Sequence, residues 1–389
     1  MEGDFIRTNK WLLPLSWLYG LGVKLRNTMF DIGILKSRAF DVPVISVGNI
    51  TVGGTGKTPH VEYLIAMMKD RFRVAVLSRG YKRKSKGFVL ADADTPMQDI
   101  GDEPWQMKHK YPDVTVAVDK SRCHGIDMLL DGDKQLDAIL LDDAFQHRYV
   151  KPGINILLVD YHRLIVYDKL LPAGRLREPL NGKDRADIVI VTKCPKDLKP
   201  MEFRVINKVM DLYPYQQLYF TCLEYGDLHP ILSNESAPLP LDQLRGLHTV
   251  VLSGIASPEQ MIHDLSPFCD LLTPLTFSDH HRFTPKDVQL INDTFDSLPS
   301  PKCIITTEKD KARLNNLEGL SMSVRNNIFV LPVMIHFMQD QQDTFNNHII
   351  YYVHKNSRNS ILAQSPDEEQ PNDCNCVGNR PRTISFRNN

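Results

Sequence analysis

The sequence predicts an α/β fold: a P-loop NTPase-type parallel sheet covered by helices, with a second, smaller α/β domain joined by a two-stranded connector. Three observations carry that expectation. Short apolar runs without polar alternation recur along the chain, which suits strands buried on both faces of a parallel sheet. A glycine-rich stretch, "NITVGGTGKTPH" (49–60), separates one such run from a helical pattern. After a stretch rich in Pro, Ser and Leu around 232–246, strands and helices begin to alternate again. With 389 residues, 42% of them hydrophobic, the chain has material for two cores.

From the N-terminus, "WLLPLSWLYGLGV" (11–23) is apolar but is broken by Pro14, Gly20 and Gly22. It falls short of the roughly 20 residues a membrane-spanning helix needs. Glu2 and Asp4 precede it and no small-residue cleavage site follows, so it does not read as a signal peptide. Between residues 1 and 40, six cations (Arg7, Lys10, Lys24, Arg26, Lys36 and Arg38) oppose three acids (Glu2, Asp4 and Asp31), a balance of +3 beside Trp11 and Trp17. Such a segment suits a lipid headgroup layer, and equally a helix packed on its own domain.

Six runs, at 43–48, 73–78, 114–118, 138–143, 154–160 and 187–193, read as strands of the first sheet. Between the first two, Val61, Leu64, Ile65 and Met68 repeat at helical spacing behind Pro59, which makes a βαβ unit. The second set comprises 249–256, 271–277, 302–310 and 327–333. Ser257-Pro258-Glu259-Gln260 reads there as a helix cap with a capping-box glutamine, and Thr284-Pro285 as a second cap and first-turn proline. Residues 216–231 and 347–354 are β-prone and are expected to form the connector. From about 355 the chain is too poor in large apolar residues to offset its ordering entropy, so a disordered tail is expected. The expected organisation is an N-terminal helix (1–30), a phosphate-loop domain (31–215), connector and smaller domain (216–354), and tail (355–389).

Seven scattered cysteines, an odd number, imply a reducing compartment and no disulfide framework. Cys374 and Cys376 alone are too few ligands for a tetrahedral site. A net charge of -1 excludes the chain as general glue for nucleic acid, and any anion binding must be local.

Glycines between a buried strand and a helix N-terminus let main-chain N–H groups turn inward around a phosphate. In Thr51-Val52-Gly53-Gly54-Thr55-Gly56-Lys57-Thr58, Lys57 would reach the outer phosphates and the Thr58 hydroxyl would ligate Mg²⁺. Thr51 stands where the strict pattern has its first glycine. Asp142 and Asp143, at the end of an apolar run, would serve metal and water at the strand's carboxyl edge. Pro195 in "TKCP" removes the acid that guanine reading requires, so ATP is the expected nucleotide. The basic stretches 78–87, with Arg79, and 172–179, with Arg175 and Arg177, suit a second anion on a phosphorylated acceptor. On the residues alone, an ATPase of the partitioning or metal-insertion kind stays open.

The motifs "VGNITVGGTGKTP", "LSRGYKR", "GDEP", "DDAFQHR", "LLPAGRLREP", "GIASPEQ", "DHHRF" and "TEKDKARL", in that order, resemble the tetraacyldisaccharide 4'-kinases of lipid A biosynthesis in Gram-negative bacteria. The likeness covers most of 5–354 and departs at Ala144, where the family usually has glycine. It implies transfer of the ATP γ-phosphoryl group to the 4'-hydroxyl of a tetraacyldisaccharide 1-phosphate, giving lipid IVA. It further implies Asp102 as general base with Asp143 close by, Lys57 on the transferring group, and Thr58 and Asp142 at Mg²⁺. His280 would approach the nucleotide. Arg79, Gly80, Gln146, His147, Arg148 and Arg177 would contact a lipid substrate. The implied setting is a monomer, peripheral on the cytoplasmic face of the inner membrane, with 1–30 as a membrane-associating helix and 31–215 as the kinase domain.

Overall fold

A computed structural model describes residues 8–357, apart from 134, 232–237, 280 and 315–316. His280 and the tail beyond 357, with Cys374 and Cys376, lie outside the described residues.

Helix α1 (Leu13–Asp31) follows a 3-10 turn at Lys10–Leu12 and carries Pro14 in its first turn. β1 (Val44–Gly48) leads through the glycine loop into α2 (Lys57–Met68), and then come β2 (Val74–Ser78), β3 (Val89–Ala91), α3 (Met97–Ile100), α4 (Asp102–Lys110) and β4 (Thr115–Val118). α5 (Arg122–Gly132), β5 (Ala138–Asp142), β6 (Ile154–Asp160), β7 (Ile188–Thr192), α6 (Pro200–Met210) and β8 (Gln217–Tyr225) follow. The second unit runs β9 (His229–Pro230), β10 (His248–Ser253), α7 (Pro258–Leu265), β11 (Leu271–Thr276), α8 (Pro285–Ser297), β12 (Lys302–Thr307), α9 (Glu308–Leu314), α10 (Met322–Asn326) and β13 (Ile328–Leu331). β14 (Val333–Phe337) and α11 (Gln342–Asn356) end the described chain.

Among the described residues the strands form two sheets, of nine and five strands, ordered β14-β8-β7-β6-β1-β5-β2-β4-β3 and β11-β10-β12-β13-β9. Both are parallel except at their edges, where β14 and β3 close the larger sheet, and β9 the smaller, in antiparallel pairing. Parallel strands need cover on both faces. α2 lays Val61, Leu64, Ile65 and Met68 over Ile45 and Val47 on one face. On the other, Val44, Ala75, Leu77 and Ile139 pack with Ile126 and Leu129 of α5.

Three sequence expectations need correction. Residues 347–354 are helical: α11 buries Phe345, Ile349 and Val353, four residues apart, and that period outweighs the β-propensity of the Ile-Ile-Tyr-Tyr run. The strand pair that links the sheets is instead β8 with β14, in register from Tyr225 opposite Val333 to Thr221 opposite Phe337. Residues 327–333 are accordingly not one strand. Pro332, which lacks an N–H for a ladder, marks the point where the chain leaves the smaller sheet for the larger. Finally, Ser257 caps α7 without a side-chain hydrogen bond, and Gln260 turns instead to Asp264 (2.8 Å). Thr284 of α8 does form a capping box, with Asp287.

Candidate functional site

The site is built where β1 and β5, neighbours in the larger sheet, end side by side. Beyond β1, the backbone of Thr51 bridges to Leu176 and Val52 N–H donates to the Arg175 carbonyl (2.8 Å), so the loop is held from outside by residues 175–177. Gly53 and Gly56 take φ of 119° and 79°, conformations in which a side chain is strained. Gly56 thereby caps α2 and leaves the first-turn N–H groups, including those of Lys57 and Thr58, facing the bend. Asn49 braces the loop from beneath, its amide donating to Thr55 Oγ1 (2.7 Å) while Thr192 Oγ1 donates to the Thr55 carbonyl (3.0 Å). At the apex Gly54 lies against the smaller unit: a Cβ there would sit 3.5 Å from that of Ala256.

Lys57 Nζ lies 3.7 Å from Asp143 Oδ1, and Arg177 reaches the same oxygen at 3.4 Å. Asp143 has φ of 47°, which turns its carboxylate out of the strand direction toward these cations. Burial would raise its pKa, but Lys57 and Arg177 outweigh burial and hold it below the usual carboxylate value. Asp142 behaves oppositely. Its burial, with Glu103 and Asp143 nearby, pushes the carboxyl up to about 7 against a hydrogen bond from Ser78 (2.9 Å). Its Oδ1 is buried without a partner among the described residues.

Asp102 opens α4 behind Gly101, whose φ is 93° and whose missing Cβ makes room for the Tyr81 carbonyl. The Asp102 carboxylate accepts from Arg313 of α9. The two acids expected as neighbours therefore have different cationic partners. The acid with raised proton affinity is Asp142.

The expected substrate residues divide. Arg177 is in the site. Gly80 packs tightly, since a Cβ would meet the Ile100 carbonyl at 2.7 Å. Arg79 lies near enough to act electrostatically on Arg122 and His147. His147 is held down to about 4 by burial and by Arg122, Arg26 and Arg79. Arg148 turns toward α1, donating to Asp31 (2.6 Å) and the Asn27 carbonyl (2.9 Å), and the Gln146 carbonyl accepts from Arg26 (3.3 Å).

Sequence reasoning passed over Asn49, Ser78, Arg122 and Arg313. Arg122 is almost wholly enclosed and donates to the carbonyls of Asp119 and Asp142 (both 3.0 Å), tying β4 and β5 together at their carboxyl ends. Asn49 carried a usable signal, a short polar side chain directly after a buried strand. Arg313 lay within "TEKDKARL", but its role was not legible there, because its partner lies 211 positions away.

α1 inverts the usual arrangement. Its small residues face inward: Ser16 Oγ donates to the Leu170 carbonyl (3.0 Å) and accepts from Ala173 N–H (2.9 Å), and Gly20 abuts Leu170. Apart from Phe30 near its end, its large residues face out, with Trp17 69% exposed beside Leu15, Leu18, Leu21 and Leu25, behind Trp11, 92% exposed in the preceding turn. No helix among the described residues is long and apolar enough to cross a membrane.

The family model for tetraacyldisaccharide-1-P 4'-kinase matches residues 8–351. The tetraacyldisaccharide 4'-kinase of Phocaeicola vulgatus is 60% identical over 366 residues, 93% of this chain and 100% of its own. That of Bacteroides thetaiotaomicron is 51% identical over 379 residues, 95% of this chain and 100% of its own. A crystal structure of LpxK from Aquifex aeolicus, described as an "apo" form in complex with ATP, matches with TM-score 0.68 and 31% identity, covering 88% of this chain and 98% of that one. On this agreement of sequence, fold and loop geometry, the chain belongs to the tetraacyldisaccharide 4'-kinase family.

Proposed function

We propose that this protein transfers the γ-phosphoryl group of ATP to the 4'-hydroxyl of a tetraacyldisaccharide 1-phosphate. The observation that carries the reading is the glycine bend at the end of β1, with Lys57 turned across it to the acid at the end of β5. In this reading Gly53, Gly54, Thr55 and Gly56 wrap the phosphates with main-chain N–H groups, and Val52 with Thr51 fixes the entry to the bend. Lys57 neutralises charge on the group in transfer. Thr58 and Asp142 would hold Mg²⁺, and the buried Asp142 Oδ1, without a partner among the described residues, fits that task. Bound Mg²⁺ would supply further neutralisation of the phosphate oxygens.

Asp102 takes the hydroxyl proton, and Arg79, Gly80, Gln146, His147, Arg148 and Arg177 surround the acceptor sugar and its phosphate. His280 approaches the nucleotide from the smaller unit. Residues 31–225 with β14 and α11 form the kinase lobe, and β9 through β13 form the lobe that closes on it.

A substrate with four acyl chains cannot be drawn into water at about 0.8 kcal/mol per CH₂, so the enzyme meets it at the bilayer. α1, with its outward tryptophans and leucines, is the segment that dips there. We place the protein as a monomer, peripheral on the cytoplasmic face of the inner membrane.

The test uses γ-labelled ATP and the disaccharide lipid. Wild type should put label into the chloroform-soluble product. Lys57→Ala should lower transfer by about 10²-fold or more, and Asp102→Ala should abolish it while ATP still binds. Label released only as free phosphate would instead favour the ATPase reading, and full turnover by Asp102→Ala would remove the base assignment.

A further inference from the structure

Among the described residues, an arginine of the smaller unit reaches the candidate base. Arg313 of α9 presents Nε (3.1 Å) and Nη2 to a single oxygen of Asp102, Oδ2. The far edge of the same guanidinium is fixed within its own unit, where Nη1 donates to Asp310 Oδ1 (2.9 Å) and to the Gly254 carbonyl (3.4 Å). Asp310 is fully buried and is itself anchored by Gly254 N–H and Thr307 Oγ1, both 2.8 Å from Oδ2. Arg313 is thus no mobile surface cation. It is a rigid fork built by the smaller sheet and aimed at the first residue of α4.

The contact continues along both helices. Lys309 lies 3.9 Å from Glu103, and at the other end of α4 Lys110 is 2.7 Å from Glu308 of α9 and 2.7 Å from Glu62 of α2. α4 is therefore gripped by α9 at its start and its finish. Two donors of one planar guanidinium converging on Oδ2 pin that oxygen, and with it the rotation of the carboxylate about Cβ–Cγ.

We propose that Arg313 is a positioning residue for phosphoryl transfer: by pinning Asp102 Oδ2 it fixes the rotation of the carboxylate that takes the acceptor proton and makes the base's alignment depend on where the smaller sheet sits. This rests on the reading of Asp102 as base. Arg313 touches neither substrate nor nucleotide in this scheme and exchanges no proton.

The test is a kinetic cycle on the full-length enzyme with disaccharide lipid and ATP. Arg313→Gln should lower kcat about 10²-fold, the size expected when a reacting group is misplaced by about 1 Å, with KM for ATP unchanged. Arg313→Lys should recover part of the loss. In an Asp102→Asn background, where residual transfer is followed by label, Arg313→Gln should cost less than about threefold, because its effect runs through the missing carboxylate. Equal losses in both backgrounds, or a change confined to KM for ATP, would overturn the proposal. Should Arg313→Gln not fold, Arg313→Lys carries the same cycle, with the same outcomes deciding. A wild type inactive on the lipid would instead defeat the functional reading beneath it.

Discussion

Asp142 and Asp143 are adjacent in the chain and opposite in electrostatics, because one points into the sheet and the other, at φ of 47°, turns out to two cations. No pattern of letters distinguishes them. The loop itself was legible, since its glycines, Lys57 and Thr58 obey a spacing set by main-chain geometry. Ser78 was less so, because it meets Asp142, 64 positions away, across a fold that had first to form. His60 shows the same dependence: on α2, its Nδ1 lies 2.7 Å from the Gly56 carbonyl and its Nε2 3.0 Å from Thr221 Oγ1 on β8. Burial lowers its pKa from 6.5 to about 4. Between those values the unfolded chain binds a proton that the folded one refuses, so stability is present above pH 6.5 and is lost as pH falls toward 4. The loss is on the order of 3 kcal/mol. His60→Gln should flatten the fall of melting temperature between pH 6.5 and 4.5, and an unchanged slope would show that other groups govern acid unfolding.

At the scale of elements, the parallel strands were legible because burial on both faces leaves unalternating apolar runs. Edges were not. Pro332 divides a run that reads as continuous, and α11 contains a β-prone tetrapeptide whose fate is decided by Phe345 at its upstream end. α1 was ambiguous for a related reason: composition reports how much apolar surface a helix has, not which side of it faces home. The packing of Ser16 and Gly20 against 170–173 gives the direction. Trp17→Ser should then weaken binding to anionic vesicles about tenfold, equivalent to about 1.4 kcal/mol, in a sedimentation assay while ATP affinity holds. Unaltered sedimentation would mean that the exposed face meets something other than lipid.

At the scale of the molecule, two units were legible from the restart of the strand pattern, but the way they are joined was not, because strand pairing between 221–225 and 333–337 is a relation between distant segments. The smaller sheet is not appended to the larger one. It is spliced into it, leaving by β8 and returning by β14, and the two cut ends meet where Gly226 N–H donates to the Pro332 carbonyl (3.2 Å). Two chain ends that close can be sealed by a tight hairpin, and sealing them shortens the loop whose closure costs entropy. A chain in which residues 227–331 are replaced by a two-residue Asn-Gly turn should fold, bind ATP by calorimetry and transfer nothing. Failure of that miniature to fold would mean that the guest, and not the host, supplies the cohesion. If it folds, the enzyme is a nucleotide holder into which a separate module has been grafted, removable in one piece without leaving a scar in the sheet.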